Sequence, residues 1–178
     1  MKKAQNKHMD MQNTEAPKAM KHGMMLVDGE VQDVVLDAET VESLLFMIEE
    51  EKMARDIYDA LYEQTGIKTF DTISNSEQKH YDTLLSAASK LGVDTSALSD
   101  EAGVYSNSEI QELYTTLLAQ GSLSSGDAID VGILIEQTDI EDLQNAIDSN
   151  VDITLLGQVY SNLLNASQHH LDAFEMIA

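Results

Sequence analysis

The sequence predicts an all-α protein: a four-helix bundle whose two halves are joined by one long crossover containing a short extra helix, preceded by a small N-terminal β-hairpin. Three observations predict it. Four long segments repeat apolar residues at steps of three and four, the period of a helix with one buried face. Short links join the first pair of segments and the last pair, which implies two antiparallel hairpins, whereas residues 92–124 separate the pairs. Finally, each of the four stripes carries a metal-type ligand in its middle, as on the inside of a metal-binding bundle.

The chain has 178 residues, 43% of them hydrophobic, enough for one domain with a substantial core. It contains no cysteine, so disulfides, thiolate metal sites and iron–sulfur clusters are excluded. No run reaches the roughly 18 apolar residues of a membrane helix. Met1-Lys2-Lys3 has the charge of a signal peptide but no apolar segment behind it, so such a peptide is absent or already removed. The compartment stays open between cytoplasm and export. The net charge of −22 is uneven: residues 1–22 hold five lysines against Asp10 and Glu15, and the remainder carries thirty acids against five basic residues. So acidic a body repels nucleic acid and anionic lipid and attracts cations; the same charge also serves solubility.

Residues 1–22 are polar, hold the single proline, Pro17, and lack periodicity, which predicts a disordered tail. Met24 to Val27 and Glu30 to Leu36, around Asp28-Gly29, read as two strands and a turn, so residues 23–37 form the expected hairpin. The bundle is expected over residues 38–178. Its first helix runs from Ala38 to about Thr65, with Leu44, Met47, Glu51, Ala54, Tyr58 and Leu61 on one seam and Gly66 at its end. The second, about Asp71 to Leu91, aligns Ile73, Glu77, His80, Leu84, Ala87 and Leu91. A short helix from Asn107 to Gln120 carries Ile110, Leu113, Tyr114, Leu117 and Leu118. The next, about Ser125 to Ser149, aligns Ile129, Gly132, Glu136, Asp139, Leu143 and Ala146. The last, about Asp152 to Ala178, aligns Leu156, Val159, Leu163, Ala166, His170, Ala173 and Ile177.

Glu51, Glu77, His80, Glu136, Asp139 and His170 therefore lie within apolar seams. An ionised carboxylate there is costly unless paired or bound to a metal, and these oxygen and nitrogen donors suit iron, manganese or zinc. The small neighbours Ala54, Gly132, Ala166 and Ala173 would leave room for the ions. Plainer explanations exist for single residues. Glu51 belongs to the run Glu49-Glu50-Glu51, a typical solvated face, and Arg55 at i+4 could pair with it. Glu77-x-x-His80 is a common helical spacing, and Asp139 could be exposed. His169 points about 100° away from His170, towards solvent.

At these positions the sequence resembles the ferritin-like superfamily, rubrerythrin-type proteins in particular. Their Glu-x-x-Ala-Arg-x-x-Tyr motif reads Glu51-Lys52-Met53-Ala54-Arg55-Asp56-Ile57-Tyr58, and their Glu-x-x-His reads Glu77-Gln78-Lys79-His80. Glu136 and Asp139 match the spacing of two acids on the third bundle helix, and His170 the histidine of the fourth. More closely, the stretch from Glu49 to Phe174 looks like a ferritin-like domain family of unassigned function. The resemblance implies a ferritin-like bundle with a di-iron or di-manganese centre, zinc being a substitute, and redox chemistry with dioxygen or peroxide of ferroxidase or peroxide-reducing type. It makes Glu77 the bridging carboxylate, and Tyr58 a catalytic-site residue that hydrogen-bonds a ligand. Two departures stand out. Ser167 occupies the place of a bridging carboxylate, and Asp139 is one methylene shorter than the usual glutamate. With no cysteine there is no rubredoxin domain, so an enzyme would need an external electron donor. A homodimer is a further expected partner state.

Two other readings remain open. Met9, Met11, Met20, His22, Met24 and Met25 offer thioether and imidazole groups suited to copper(I), which would make the chain a non-catalytic metal binder. Alternatively, Glu51–Arg55 and Glu77–His80 pair internally in a metal-free interaction bundle.

Overall fold

The structure, a computed structural model, describes residues 21–27, 30–149 and 153–178. Strands β1 (Lys21–Val27) and β2 (Glu30–Leu36) pair antiparallel, Lys21 opposite Leu36 and Val27 opposite Glu30. The first strand thus begins two residues inside the expected tail. The rest of that tail and the Asp28-Gly29 turn lie outside the described residues. Among the described residues five helices follow: α1 (Ala38–Thr65), α2 (Lys68–Lys90), α3 (Ser108–Gly121), α4 (Ser125–Ser149) and α5 (Thr154–Glu175). The expected all-helical bundle is what forms.

Local chemistry sets the helix ends. Asp37 caps α1 by accepting the Thr40 backbone N–H at 2.8 Å. Gly66 stops it in the left-handed region, φ 71°, while its N–H reaches back to the Tyr62 carbonyl. Only Ile67 then remains before α2, so α2 starts earlier than its seam predicts and turns straight back along α1. The α5 helix stops at Glu175, leaving Met176 and Ile177 exposed rather than on a buried seam.

The four long helices close into a ring in which α1 packs on α2, α2 on α5, α5 on α4 and α4 on α1. Paired contacts give the directions. Tyr58 of α1 meets Glu136 of α4, whereas Met47 near the other end shares a cleft with Ala146. Likewise Phe70 of α2 stacks near Phe174 of α5, and His80 near His170. Neighbours are therefore antiparallel around the ring, which leaves α2 and α4 running the same way. Residues 91–124 must consequently travel the length of the bundle, and α3 packs across α1 and α4 on the way.

Two apolar slabs fill the ring. One is built on Leu44, Met47, Leu84, Leu143, Leu156 and Tyr160, the other on Ile57, Tyr58, Phe70, Val131, Ile135 and Phe174. Between them lies a layer of buried polar groups. Gly132 borders the second slab, where an added Cβ would come within 2.8 Å of the Phe174 ring. Its smallness accommodates an aromatic ring, not the ions for which the sequence reading reserved it. On α5 the inward face at this end is Ser167 and Phe174 rather than Ala166 and Ala173.

The crossover is fastened to α1 by charged groups. Glu49 accepts the backbone N–H groups of Ser106 and Asn107, the latter at 2.8 Å, at the start of α3. Lys52 is buried and donates to Asp56 at 2.9 Å and to the Glu101 carbonyl at 2.8 Å. Asp56 also accepts from the Gly103 N–H (2.9 Å), the Tyr105 hydroxyl (2.7 Å) and Arg55 (2.7 Å). Burial alone would raise the Asp56 carboxyl, but these donors hold it below its usual value. Two expectations fall here. The run Glu49-Glu50-Glu51 is not a solvated face, since all three are buried beneath the crossover, α4 and α2. Arg55 pairs with Asp56 and Gln78, not with Glu51.

Candidate metal centre

The polar layer takes one or two groups from each long helix. The α1 helix supplies Glu51, α2 supplies Glu77 and His80 one turn apart, α4 supplies Glu136 and Asp139, and α5 supplies His170 with Ser167 beside it. Glu51, Glu77, His80, Glu136 and Asp139 lie near the middle of their helices, and Ser167 and His170 in the second half of α5. Glu51, Glu77, His80, Glu136, Asp139 and Ser167 are buried, and the His170 side chain is 12% exposed. His169 points outward.

Among the described residues two triads of donor atoms emerge, each with its atoms within 4.8 Å of one another: Glu51, Glu77 and His80, then Glu77, Glu136 and His170. Glu77 belongs to both. Its Oε2 lies 2.7 Å from His80 Nδ1, which is also 3.1 Å from Glu51 Oε2. Its other oxygen, Oε1, lies 2.8 Å from His170 Nδ1, itself 3.5 Å from Glu136 Oε2. The two imidazoles stack with centroids 5.4 Å apart. Close as they are, Glu77 Oε1 and His170 Nδ1 are not aligned as a hydrogen bond, and both remain unpartnered, as do Glu51 Oε1 and Asp139 Oδ1. Buried polar atoms without partners are rare in folded proteins. Such a cluster of buried carboxylate oxygens and imidazole nitrogens could hold a metal ion.

Electrostatics agree. Burial first, then the nearby Asp139 and Glu77, drives the Glu51 carboxyl well above its ordinary value; burial and Glu136 do the same to Asp139. Burial lifts Glu136 to about 7. Burial would also raise Glu77, but contact with His170 and His80 outweighs it and holds the group at about 2. Burial opposes charge on His170, yet Glu136 and Glu77 raise it to about 10. Without a cation, the layer thus carries more carboxylate than its two imidazoles can neutralise.

Tyr58 donates its hydroxyl proton to Glu136 Oε1 at 2.7 Å and so fixes which oxygen of Glu136 faces the layer. Asp139 enters neither triad; its carboxyl lies against the fully buried Ser167, whose hydroxyl also donates to the Leu163 carbonyl at 3.0 Å. Sequence reasoning missed Glu50, which is buried beside Asp139 and Asp142 with Oε2 unpartnered. Its signal was weak, because three consecutive acids cannot all lie on one seam. Only the covering of α1 on every side over residues 47–54 buries it.

Residues 40–177 match the family described as Uncharacterized protein domain (DUF2202). A relative, the Uncharacterized protein MJ0754 of Methanocaldococcus jannaschii, is 39% identical over 141 residues, covering 78% of this chain and 75% of that protein. The crystal structure of hypothetical protein MJ0754 from Methanococcus jannaschii superposes with a TM-score of 0.75 at 37% identity, over 82% of each chain. The family match spans the four long helices, and the chain belongs to the DUF2202 family.

Proposed function

We propose that this chain is a ferritin-like metalloprotein whose buried layer holds two ions of iron or manganese, zinc being able to substitute. The observation that carries the reading is Glu77, whose two carboxylate oxygens serve two different donor triads. Carboxylate oxygens and imidazole nitrogens are the donor set such ions favour, and the unpartnered buried oxygens fit them. Glu51 and His80 would hold one ion, Glu136 and His170 the other, and Glu77 both. Asp139 stands in reserve beside Ser167. Two adjacent ions would bind and polarise dioxygen or peroxide between them, so a ferroxidase or peroxide-reducing activity is the chemistry proposed. The chain's own part is to orient the ligands, with Tyr58 steering Glu136, and to keep bulk water out with the Phe70, Phe174 and Tyr58 rings packed on one side. In the peroxide-reducing case electrons would come from an external donor, and in the ferroxidase case from the iron(II) substrate itself.

Metal analysis tests this directly. Wild type should bind about two iron or manganese ions per chain, the number of triads. His80→Ala and His170→Ala should each lose one ion, and His169→Ala none. Equal loss from His169→Ala and His170→Ala would reject the assignment. One observation favours a second reading: Glu77 with its two imidazoles forms a partly neutralised cluster without any ion. A wild-type protein that binds no metal after anaerobic loading would establish that metal-free bundle instead.

A further inference from the structure

Like Asp139, Glu50 is a buried acid near the centre that neither triad uses. It is 2% exposed and its Oε2 has no hydrogen-bond partner. From α1 it faces α4, where its carboxyl lies against Asp142 and within electrostatic reach of Asp139. Asp142 and Asp139 stand one turn apart on α4. On its far side Asp142 lines a cleft of about 290 Å³ between the start of α1 and the end of α4. Asp37, Glu39 and Asn145, all exposed, form its mouth, and none of its lining residues is basic.

Carboxylates therefore alternate across the α1–α4 seam, from the cleft at Asp142 to Glu50, to Asp139, and on to the centre. The nearest basic side chains along α1, Lys52 and Arg55, are committed to Asp56 and cannot neutralise Glu50. An unpaired carboxylate in such a place is costly. Nor is Glu50 a member of either donor triad. A buried, unpartnered group that lies between an acidic opening and a metal layer, yet outside the layer, suits a cation in passage.

We propose that Glu50 and Asp142 form an entry path that hands divalent metal ions from the acidic cleft to the ligand layer, with Asp139 as the receiving group. The inference rests on the two-metal reading. A cleft lined by charge of one sign concentrates its counter-ion and speeds association by about 10- to 1,000-fold, an effect that fades with salt. A transit group lowers the barrier for entry and exit alike and leaves the final occupancy unchanged.

Stopped-flow loading of metal-free, full-length protein with cobalt(II) tests the path, read by the visible absorption of the bound ion. Glu50→Gln keeps the side chain's shape, and Asp142→Asn changes a partly exposed residue that the fold tolerates should Glu50→Gln misfold. Glu112→Gln, an exposed acid on α3, is the charge-matched control. Both test variants should load about tenfold more slowly, or slower still, reach the wild-type stoichiometry, and release cobalt to a chelator more slowly by a similar factor. The control should match wild type, and the salt dependence of loading should flatten in Asp142→Asn. Wild-type loading rates in the test variants overturn the path. Slower loading with lost stoichiometry also overturns it, by making Glu50 a ligand. Wild type that takes up no cobalt refutes the metal centre itself, and the path with it.

Discussion

Replacing Glu77 with glutamine preserves the outline of the side chain while removing its charge and one ligating oxygen. Every other triad member serves a single triad, so Glu77 alone couples the two. Each triad offers three protein donors; one would lose its Glu77 oxygen outright, and the other would keep only a neutral amide oxygen, a much poorer ligand. Losing a group that merely orients a ligand costs a metal site about 10- to 100-fold in affinity. Losing a ligand from each site should therefore exceed about 100-fold per ion, or about 2.8 kcal/mol. Equilibrium dialysis of metal-free protein against iron(II) under anaerobic conditions, with bound metal counted, measures this. Glu51→Gln and Glu136→Gln are the comparison, since each touches one triad and should spare the other ion. Glu77→Gln should lose both ions at concentrations that saturate wild type. A Glu77→Gln protein that keeps both ions tightly bound would show that Glu77 does not bridge. Loss of both ions from Glu51→Gln would relocate the coupling to α1.

Protonation should control the stability of the metal-free protein. Glu136, lifted to about 7, stabilises most below the unfolded carboxyl value near ~4, and that contribution is lost as pH rises through about 7; Glu51 and Asp139, also raised, act in the same direction. His170, raised to about 10, works in the same direction, its contribution full below the unfolded value near ~6.5 and lost through about 10. Glu77, held at about 2, contributes above the unfolded carboxyl value and loses that as pH falls towards about 2. Thermal melts should therefore be higher near pH ~5 than near pH ~8 without metal, and bound iron or manganese should reverse the order because ligands must be deprotonated; equal metal-free melts at both would contradict the buried acid layer. Asp56→Ala should cost about 3–5 kcal/mol in urea unfolding, because Lys52 is left buried without its counter-charge. Hydrogen exchange should loosen first at residues 101–107, and a loss below ~1 kcal/mol would mean that the carbonyls suffice. Ser167→Glu restores a carboxylate against Asp139 and within reach of the layer, so it should tighten the weaker ion in an anaerobic iron(II) titration while lowering the metal-free melting temperature. Weaker binding in Ser167→Glu than in wild type would show that Ser167 does not stand in a vacated ligand position.

The sequence determined the elements and the four inward lines. Leu44, Met47, Glu51, Ala54, Tyr58 and Leu61 share one face of α1 because a period of 3.6 residues puts them there, and all six are buried. The same repeat placed Glu77 and His80 on one line and separated His169 from His170. Long-range packing decided the rest. No periodicity says that the crossover will cover the outer face of α1, yet that cover buries Glu49, Glu50, Lys52 and Asp56 and diverts Arg55 from Glu51. Nor does it say which residues of α5 face inward after His170, where the bulk of Phe174 needs the missing side chain of Gly132. The division of the Glu77 oxygens between His80 and His170 is tertiary as well. Spacing along one helix can set a carboxylate and an imidazole side by side, but only the closing of α2 against α5 brings the second imidazole to the same carboxylate.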